Sequence, residues 1–165
     1  MRKLIISLIT TIILSASEPE SFTRYGKMGI LYDTGILKYG GDLNWRANNP
    51  GNIKDSPFTR DNGAIGEYKG FAVFPNLSTG YSAMVKLLKG GKYKNEKVQN
   101  FISRYSPKED KNDTKKYKKY IKRYMSYVKN KKLGELSDKE IIHLIYIVSL
   151  YEGMHAGKIY KAKSK

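Results

Sequence analysis

At 165 residues the chain is long enough for one domain with a single ordinary core, and its 31 Lys and Arg against 15 Asp and Glu leave it at a formal +16. An excess of that size predicts attraction to a polyanion: nucleic acid, an anionic membrane surface, or a cell wall carrying carboxylates and phosphates. The absence of cysteine excludes disulfides, cysteine nucleophiles and thiolate metal sites; the two histidines, His143 and His155, form no HExxH pattern, so no metal or other cofactor is expected.

Arg2 and Lys3 precede an apolar run at residues 4–14, followed by the small residues Ser15, Ala16 and Ser17. This is the layout of a secretory signal over residues 1–17. The run is about half of the roughly 20 residues that span a bilayer, so a stable membrane anchor is the weaker reading. Export to a periplasmic or extracellular location is therefore expected. Without Arg2 and Lys3, 29 basic residues face the same 15 acids, and the chain is still +14.

Residues 18–47 are rich in Gly, Tyr and turn formers, and Asp33-Thr34-Gly35 between two apolar stretches suits a hairpin or a looser turn. From 48 to 78 the turn signals are dense (Asn49-Pro50-Gly51, Asp55-Ser56-Pro57, Asp61-Asn62-Gly63), which predicts short strands, the last carrying Phe71, Val73 and Phe74. Four helices are predicted after that. Tyr81, Met84, Val85 and Leu88 recur at helical spacing before Gly90-Gly91. Asn95 suits the N-cap of a second helix burying Val98, Phe101, Ile102 and Tyr105 and stopping near Pro107. Asp113 caps a third, in which Tyr117, Tyr120, Ile121, Tyr124, Met125 and Val128 form one stripe and lysines occupy the other faces. Basic residues among aromatics suit nucleic acid, but tyrosines at core spacing with lysines outside describe an ordinary solvated helix better. Ser137-x-x-Glu140 is a capping box opening a run apolar on nearly every face, the expected central helix. The class is α+β, a small hairpin region followed by about four helices.

The most specific string is Arg46-Ala47-Asn48-Asn49-Pro50-Gly51-Asn52-Ile53. Its amides donate and accept at once, which suits the acetamido and hydroxyl groups of an amino sugar; the alternative is a structural turn whose asparagines bond their own backbone. Further on come Gly70-Phe71-Ala72-Val73-Phe74, Gly80-x-x-Ala83, Arg104-Tyr105-Ser106-Pro107, Asn112-Asp113-Thr114-x-x-Tyr117, and a last helix ending Glu152-Gly153. This succession, over about residues 44–157, resembles a family of phage virion-associated and prophage proteins with an Arg-Asn-Asn-Asn-Pro-Gly-Asn-Ile-Arg signature. Its members look lysozyme-like and are regarded as cell-wall lytic factors or virion structural proteins. Here Lys54 replaces the second arginine, Tyr105 stands for a tryptophan, Ser106-Pro107-Lys108 for Ala-Pro-Pro, and the asparagine between the final glutamate and glycine is missing.

The resemblance implies a lysozyme-like domain over residues 44–165, after an N-terminal extension at 18–43. It implies action on peptidoglycan glycan strands; a monomer is expected, and the reading of residues 115–128 as a solvated helix leaves nucleic acid not favoured as partner. Cleaving a β-1,4 glycosidic bond requires a carboxylic acid still protonated near neutral pH, which an apolar site supplies. Glu152, directly after the most apolar helix, is the candidate; the alternative is a glutamate in a frayed, solvated last turn. In most lysozymes the glutamate helix precedes the hairpin, so a circularly rearranged order is expected, with Asp42 and Glu67 in reserve as acids. An ordinary glycosidase needs a second carboxylate. None stands out, which favours a lytic transglycosylase-like reaction using the sugar's own 6-hydroxyl. Asn48, Asn49 and Asn52 are the expected substrate-binding amides, and Trp45 and Tyr68 either stack on sugar rings or belong to the core. His155 reads as a surface or loop residue. The rival to an enzyme is a non-catalytic wall-binding or virion structural protein; an endopeptidase lacks a cysteine or metal-ligand set.

Overall fold

The computed structural model describes residues 20–24, 27–107 and 113–161; the expected signal at 1–17 lies outside them. Among the described residues the fold is mixed α+β, with two small sheets and six α-helices. Strands β1 (Glu20–Arg24), β2 (Lys27–Leu31) and β3 (Ile36–Tyr39) form an antiparallel meander. The expected turn at Asp33-Thr34-Gly35 closes the second hairpin: the Gly35 amide donates to the Tyr32 carbonyl and the Tyr32 amide to that of Ile36. The meander is completed from the other end of the chain, because β6 (Lys158–Lys161) pairs antiparallel with β3, Leu37 opposite Tyr160. Segment 18–43 thus shares a sheet with the end of the segment that follows it.

Two short helices interrupt the region expected to hold only strands and turns. These are α1 (Leu43–Arg46) and α2 (Pro57–Asp61). The second has a local cause: Ser56 accepts from the Thr59 amide, the Thr59 hydroxyl receives the Ser56 amide, and Pro57 occupies the first turn, where no amide is needed. The hairpin of β4 (Gly66–Tyr68) and β5 (Phe71–Val73) follows, and Val73 and Phe74 are buried as expected.

The helical part is α3 (Leu77–Lys89), α4 (Ile102–Tyr105), α5 (Thr114–Tyr124) and α6 (Asp138–Tyr151). The caps at Asp113 and Ser137 are where the sequence places them: Asp113 accepts from the Lys116 amide at 2.9 Å, and Ser137 and Glu140 exchange backbone-to-side-chain bonds. The helix expected from Asn95 shrinks to α4. The Val98 and Gln99 amides donate across to the Lys131 and Lys129 carbonyls, so this stretch pairs with a neighbouring loop instead of closing helical turns. The last helix is also less enclosed than its composition predicts. Ile141, Leu144, Ile145 and Val148 are buried, but Ile142, Tyr146 and Leu150, one turn apart, are 44%, 51% and 44% exposed. Among the described residues, no helix is long and apolar enough to cross a membrane.

Two cores result. The larger gathers Phe74, Met84, Leu88, Phe101, Tyr117, Ile121 and the inner face of α6; the smaller holds Ile30, Tyr32, Ala47, Tyr68 and Val73 under the meander. The turn at residues 46–53 lies between them. Helix α3 meets it at Gly80, where a Cβ would collide with the Asn48 carbonyl oxygen. A Gly80→Ala chain should therefore lose about 4 kcal/mol, lowering Tm by about 10 °C; calorimetry showing an unchanged Tm would mean that the contact yields freely.

Candidate active site

The turn is held by its own side-chain amides. Asn49 is fully buried; its Nδ2 donates to the Ile53 and Ala72 carbonyls at 2.9 Å each, and its Oδ1 accepts from the Ile53 amide at 2.9 Å. Asn48, at a positive φ of 53°, donates through Nδ2 to the Phe74 carbonyl and the Tyr32 hydroxyl, while its Oδ1 accepts from the Lys38 ammonium. Both amides are engaged within the fold, where they do the work of a strand ladder. Asn52, at a φ of 50°, leaves the turn's own network: its Nδ2 donates to Glu152 Oε2 at 3.1 Å, across a hundred residues of chain.

Glu152 is the cap of α6 rather than part of a frayed turn. Its amide bonds the Val148 carbonyl, the Met154 amide reaches back to the Ser149 carbonyl, and Gly153 takes the left-handed φ of 83° that ends the helix. Burial pushes the Glu152 pKa up. The negative end of the α6 dipole acts in the same direction, while hydrogen bonding to Asn52, and to a lesser degree Tyr117, opposes it. The Tyr117 hydroxyl is buried without a partner in full hydrogen-bonding geometry, yet it lies near enough to Glu152 for each group to bias the other's proton. Burial first, and the Glu152 charge second, push the Tyr105 and Tyr117 pKa values up, so both phenols stay protonated. Elsewhere ion pairs have the opposite effect on carboxyls: hydrogen bonds from Arg60 hold Asp55 below the usual range, and those from Lys131 do the same to Glu140.

Asn52 opens onto a cleft of about 350 Å³, lined also by Lys54, Lys92, Tyr93, Arg104 and Tyr105. The Tyr105 hydroxyl donates to the Gly51 carbonyl at 2.5 Å and ties α4 to the turn. The remaining candidates stand apart from this centre. Tyr68 is 6% exposed, its hydroxyl against the Met28 sulfur at 2.8 Å, so its ring belongs to the smaller core. Trp45 is half-buried with the Lys38 ammonium 4.8 Å from its ring centre. Glu67 is exposed and accepts from the Gly70 amide at 2.6 Å, closing the β4–β5 turn. Asp42 accepts from the His155 amide at 3.0 Å and meets His155 Nδ1 at 2.6 Å, beside Gly153. His155 is exposed, as expected, but it is tied down by this pair. No group of three or more His, Cys, Asp or Glu among the described residues is placed to hold a metal ion.

Sequence reasoning placed Tyr117 in the core and missed that its hydroxyl, with that of Tyr105, sits against Glu152 and the asparagine turn. Composition held a signal: 14 tyrosines against 5 phenylalanines is an odd choice for a core that needs only rings, because each buried hydroxyl wants a partner.

No family model matches the chain, and comparisons with curated proteins and with solved structures return no match.

The asparagines should separate in solution. Asn49→Ala strands the Ile53 amide and the Ala72 carbonyl and should cost about 3 kcal/mol of stability. Asn52→Ala removes one half-buried contact and should cost less than about 1 kcal/mol. Denaturant unfolding of the two chains side by side checks this; equal losses would contradict the division of labour.

Proposed function

We propose that the protein is an exported, monomeric, lysozyme-like enzyme that binds peptidoglycan and cleaves its glycan strands, with Glu152 as general acid. The observation that carries this reading is the Glu152 carboxyl itself: burial at a helix end raises its pKa, while Asn52 holds the side chain in place. The +14 expected after export adds attraction to an anionic wall.

In this mechanism protonated Glu152 gives its proton to the glycosidic oxygen as the C1–O bond breaks, and the departing sugar leaves as an alcohol. The carboxylate left behind is stabilised by the Asn52 amide and the Tyr117 phenol. It then accepts the proton of the attacking oxygen and is restored to its acid form. Asn52 suits both states. Its Nδ2 donates to the carboxylate, and its Oδ1, buried and without a partner, accepts from the protonated acid once the amide rotates by half a turn. Asn52 therefore serves as a positioning residue. Asp42 is engaged with His155 and Glu67 with its own turn. That supports the single-acid route, in which the sugar's 6-hydroxyl attacks C1 and an anhydro-sugar forms, over hydrolysis with a second carboxylate.

Glu152→Gln keeps shape and hydrogen-bonding reach but has no proton to give. Glycan cleavage should fall by about 10²–10⁴-fold, read as turbidity loss of purified peptidoglycan with mass analysis of products. Anhydro ends would mark transglycosylation, new reducing ends hydrolysis, and new amines peptide cleavage. Near-full activity in the variant, or no cleavage by the unmodified chain, would overturn the proposal; the second result would leave a wall-binding protein.

The pH dependence follows from the raised pKa. Activity requires the protonated acid, so it should persist above the range of a free glutamate and fall as pH rises through the Glu152 value. The same shift has a stability consequence. A folded-state pKa above the unfolded one favours the fold at low pH, and that contribution is lost as pH rises through the folded value. At pH above the range of a free glutamate, Glu152→Gln removes the cost of a carboxyl whose charged form the folded site disfavours, and it should raise Tm while lowering activity. A lower Tm at neutral pH would contradict the electrostatic account.

A further inference from the structure

Beyond Glu152, tyrosines run in contact from the buried site to the surface along the seam between α5 and α6. Tyr117 and Tyr151 are stacked, with ring centres 3.7 Å apart and planes 14° apart. Tyr151 meets Tyr120 at 5.2 Å, and Tyr120 meets Tyr124 at 4.7 Å. The inner end, Tyr117, is the ring whose hydroxyl faces Glu152. The outer end, Tyr124, is 42% exposed, and Tyr120 and Tyr151 between them are half-buried. Tyr146, 51% exposed, stands close enough to Tyr120 to influence its ionisation.

Burying rings alone does not explain this run. Tyr124 and Tyr146 keep about half of their surface in water and Tyr120 and Tyr151 are half-buried, and each ring has a hydroxyl at its edge. A pyranose ring is its counterpart, with an apolar face of C–H bonds and a rim of hydroxyls. The seam is also edged with cations: Lys116, Lys119 and Arg123 are exposed on α5, and the Arg123 guanidinium lies 5.6 Å from the Tyr124 ring centre.

We infer that the tyrosine run Tyr151–Tyr120–Tyr124 is a binding track for an oligosaccharide that carries anionic substituents, guiding the strand toward Glu152. This rests on the reading of Glu152 as the acid. Sugar rings lie over the exposed faces of Tyr120 and Tyr124, and Lys116, Lys119 and Arg123 receive carboxylates borne by the strand. Continuity with the acid and the cationic edge point to this occupant. Ile142 and Leu150, exposed beside Tyr146, make an anionic bilayer the alternative that the test must separate.

The probe is a peptide-free tetrasaccharide of alternating N-acetylglucosamine and N-acetylmuramic acid, titrated into the full chain by calorimetry. Tyr120→Ala and Tyr124→Ala should each weaken binding by about tenfold. Tyr120→Phe and Tyr124→Phe keep the ring and should bind within about twofold of the unmodified chain, and Tyr160→Ala, at an exposed ring on β6, should change nothing. Thermal melts of the Tyr124→Ala chain guard against loss of fold, since that ring is already part exposed. Binding indifferent to both alanine variants, no tetrasaccharide binding at all, or binding only to phosphatidylglycerol vesicles would each overturn the track. Binding is read without catalysis, so tetrasaccharide binding with no cleavage would sink the role of Glu152 alone. Cleavage with tyrosine-independent binding would sink the track alone.

Discussion

The side-chain amides of Asn48 and Asn49 are the bonds on which the rest of this structure depends. A chain that passes between two cores carries backbone N–H and C=O groups with no strand or helix to satisfy them, and leaving such groups bare is costly. Here Asn49 satisfies the Ile53 amide and the Ile53 and Ala72 carbonyls, and Asn48 takes the Phe74 carbonyl. The β4–β5 hairpin, the turn and the inner end of the meander are thereby locked together, with the Tyr32 hydroxyl and the Lys38 ammonium joining from the sheet side. That ammonium is half-buried, and desolvation lowers its pKa to about 8. Helix α3 can approach only because Gly80 has no side chain where the turn's carbonyl lies.

Rigidity in the turn fixes what Glu152 meets. A carboxyl half-buried at a helix C-terminus is in an unfavourable place for its charge, and one flexible contact would let it swing into water. Asn52 is fixed in a left-handed conformation by a neighbour that cannot move without breaking three hydrogen bonds. Its amide therefore meets Glu152 from a set direction. At the other end of α6, the Ser137–Glu140 box fixes where the helix begins. Tyr105, bonded to Gly51, closes the same turn from the α4 side.

What could be read from the sequence was local. Asp113, Ser137 and the Asp33-Thr34-Gly35 turn act within four residues of themselves, so spacing alone reveals them. The pairing of β6 with β3 joins residues more than a hundred positions apart, and nothing in Lys158–Lys161 signals a partner. The stretch after Asn95 had helical spacing, but its amides found carbonyls at 129–131; tertiary pairing overrode periodicity. At the site, Glu152 was legible because a carboxyl following an apolar helix is conspicuous. The different tasks of Asn48, Asn49 and Asn52 were not, since three identical side chains differ only in what the fold brings to them. The tyrosine seam was read as core because its spacing fits a buried stripe, and spacing does not distinguish a ring that is covered from one left half in water.

The central claim is electrostatic: the fold holds Glu152 protonated beyond the range of an ordinary glutamate, and the Asn52 amide moderates that effect. Carboxyl-labelled NMR titration of Glu152, in the unmodified chain and in Asn52→Ala, measures it directly. The account predicts a pKa above that of a free glutamate, rising further when the Asn52 amide is removed, because a donor to the carboxylate has been lost. A Glu152 pKa at or below the ordinary value, or one that falls in Asn52→Ala, would contradict it.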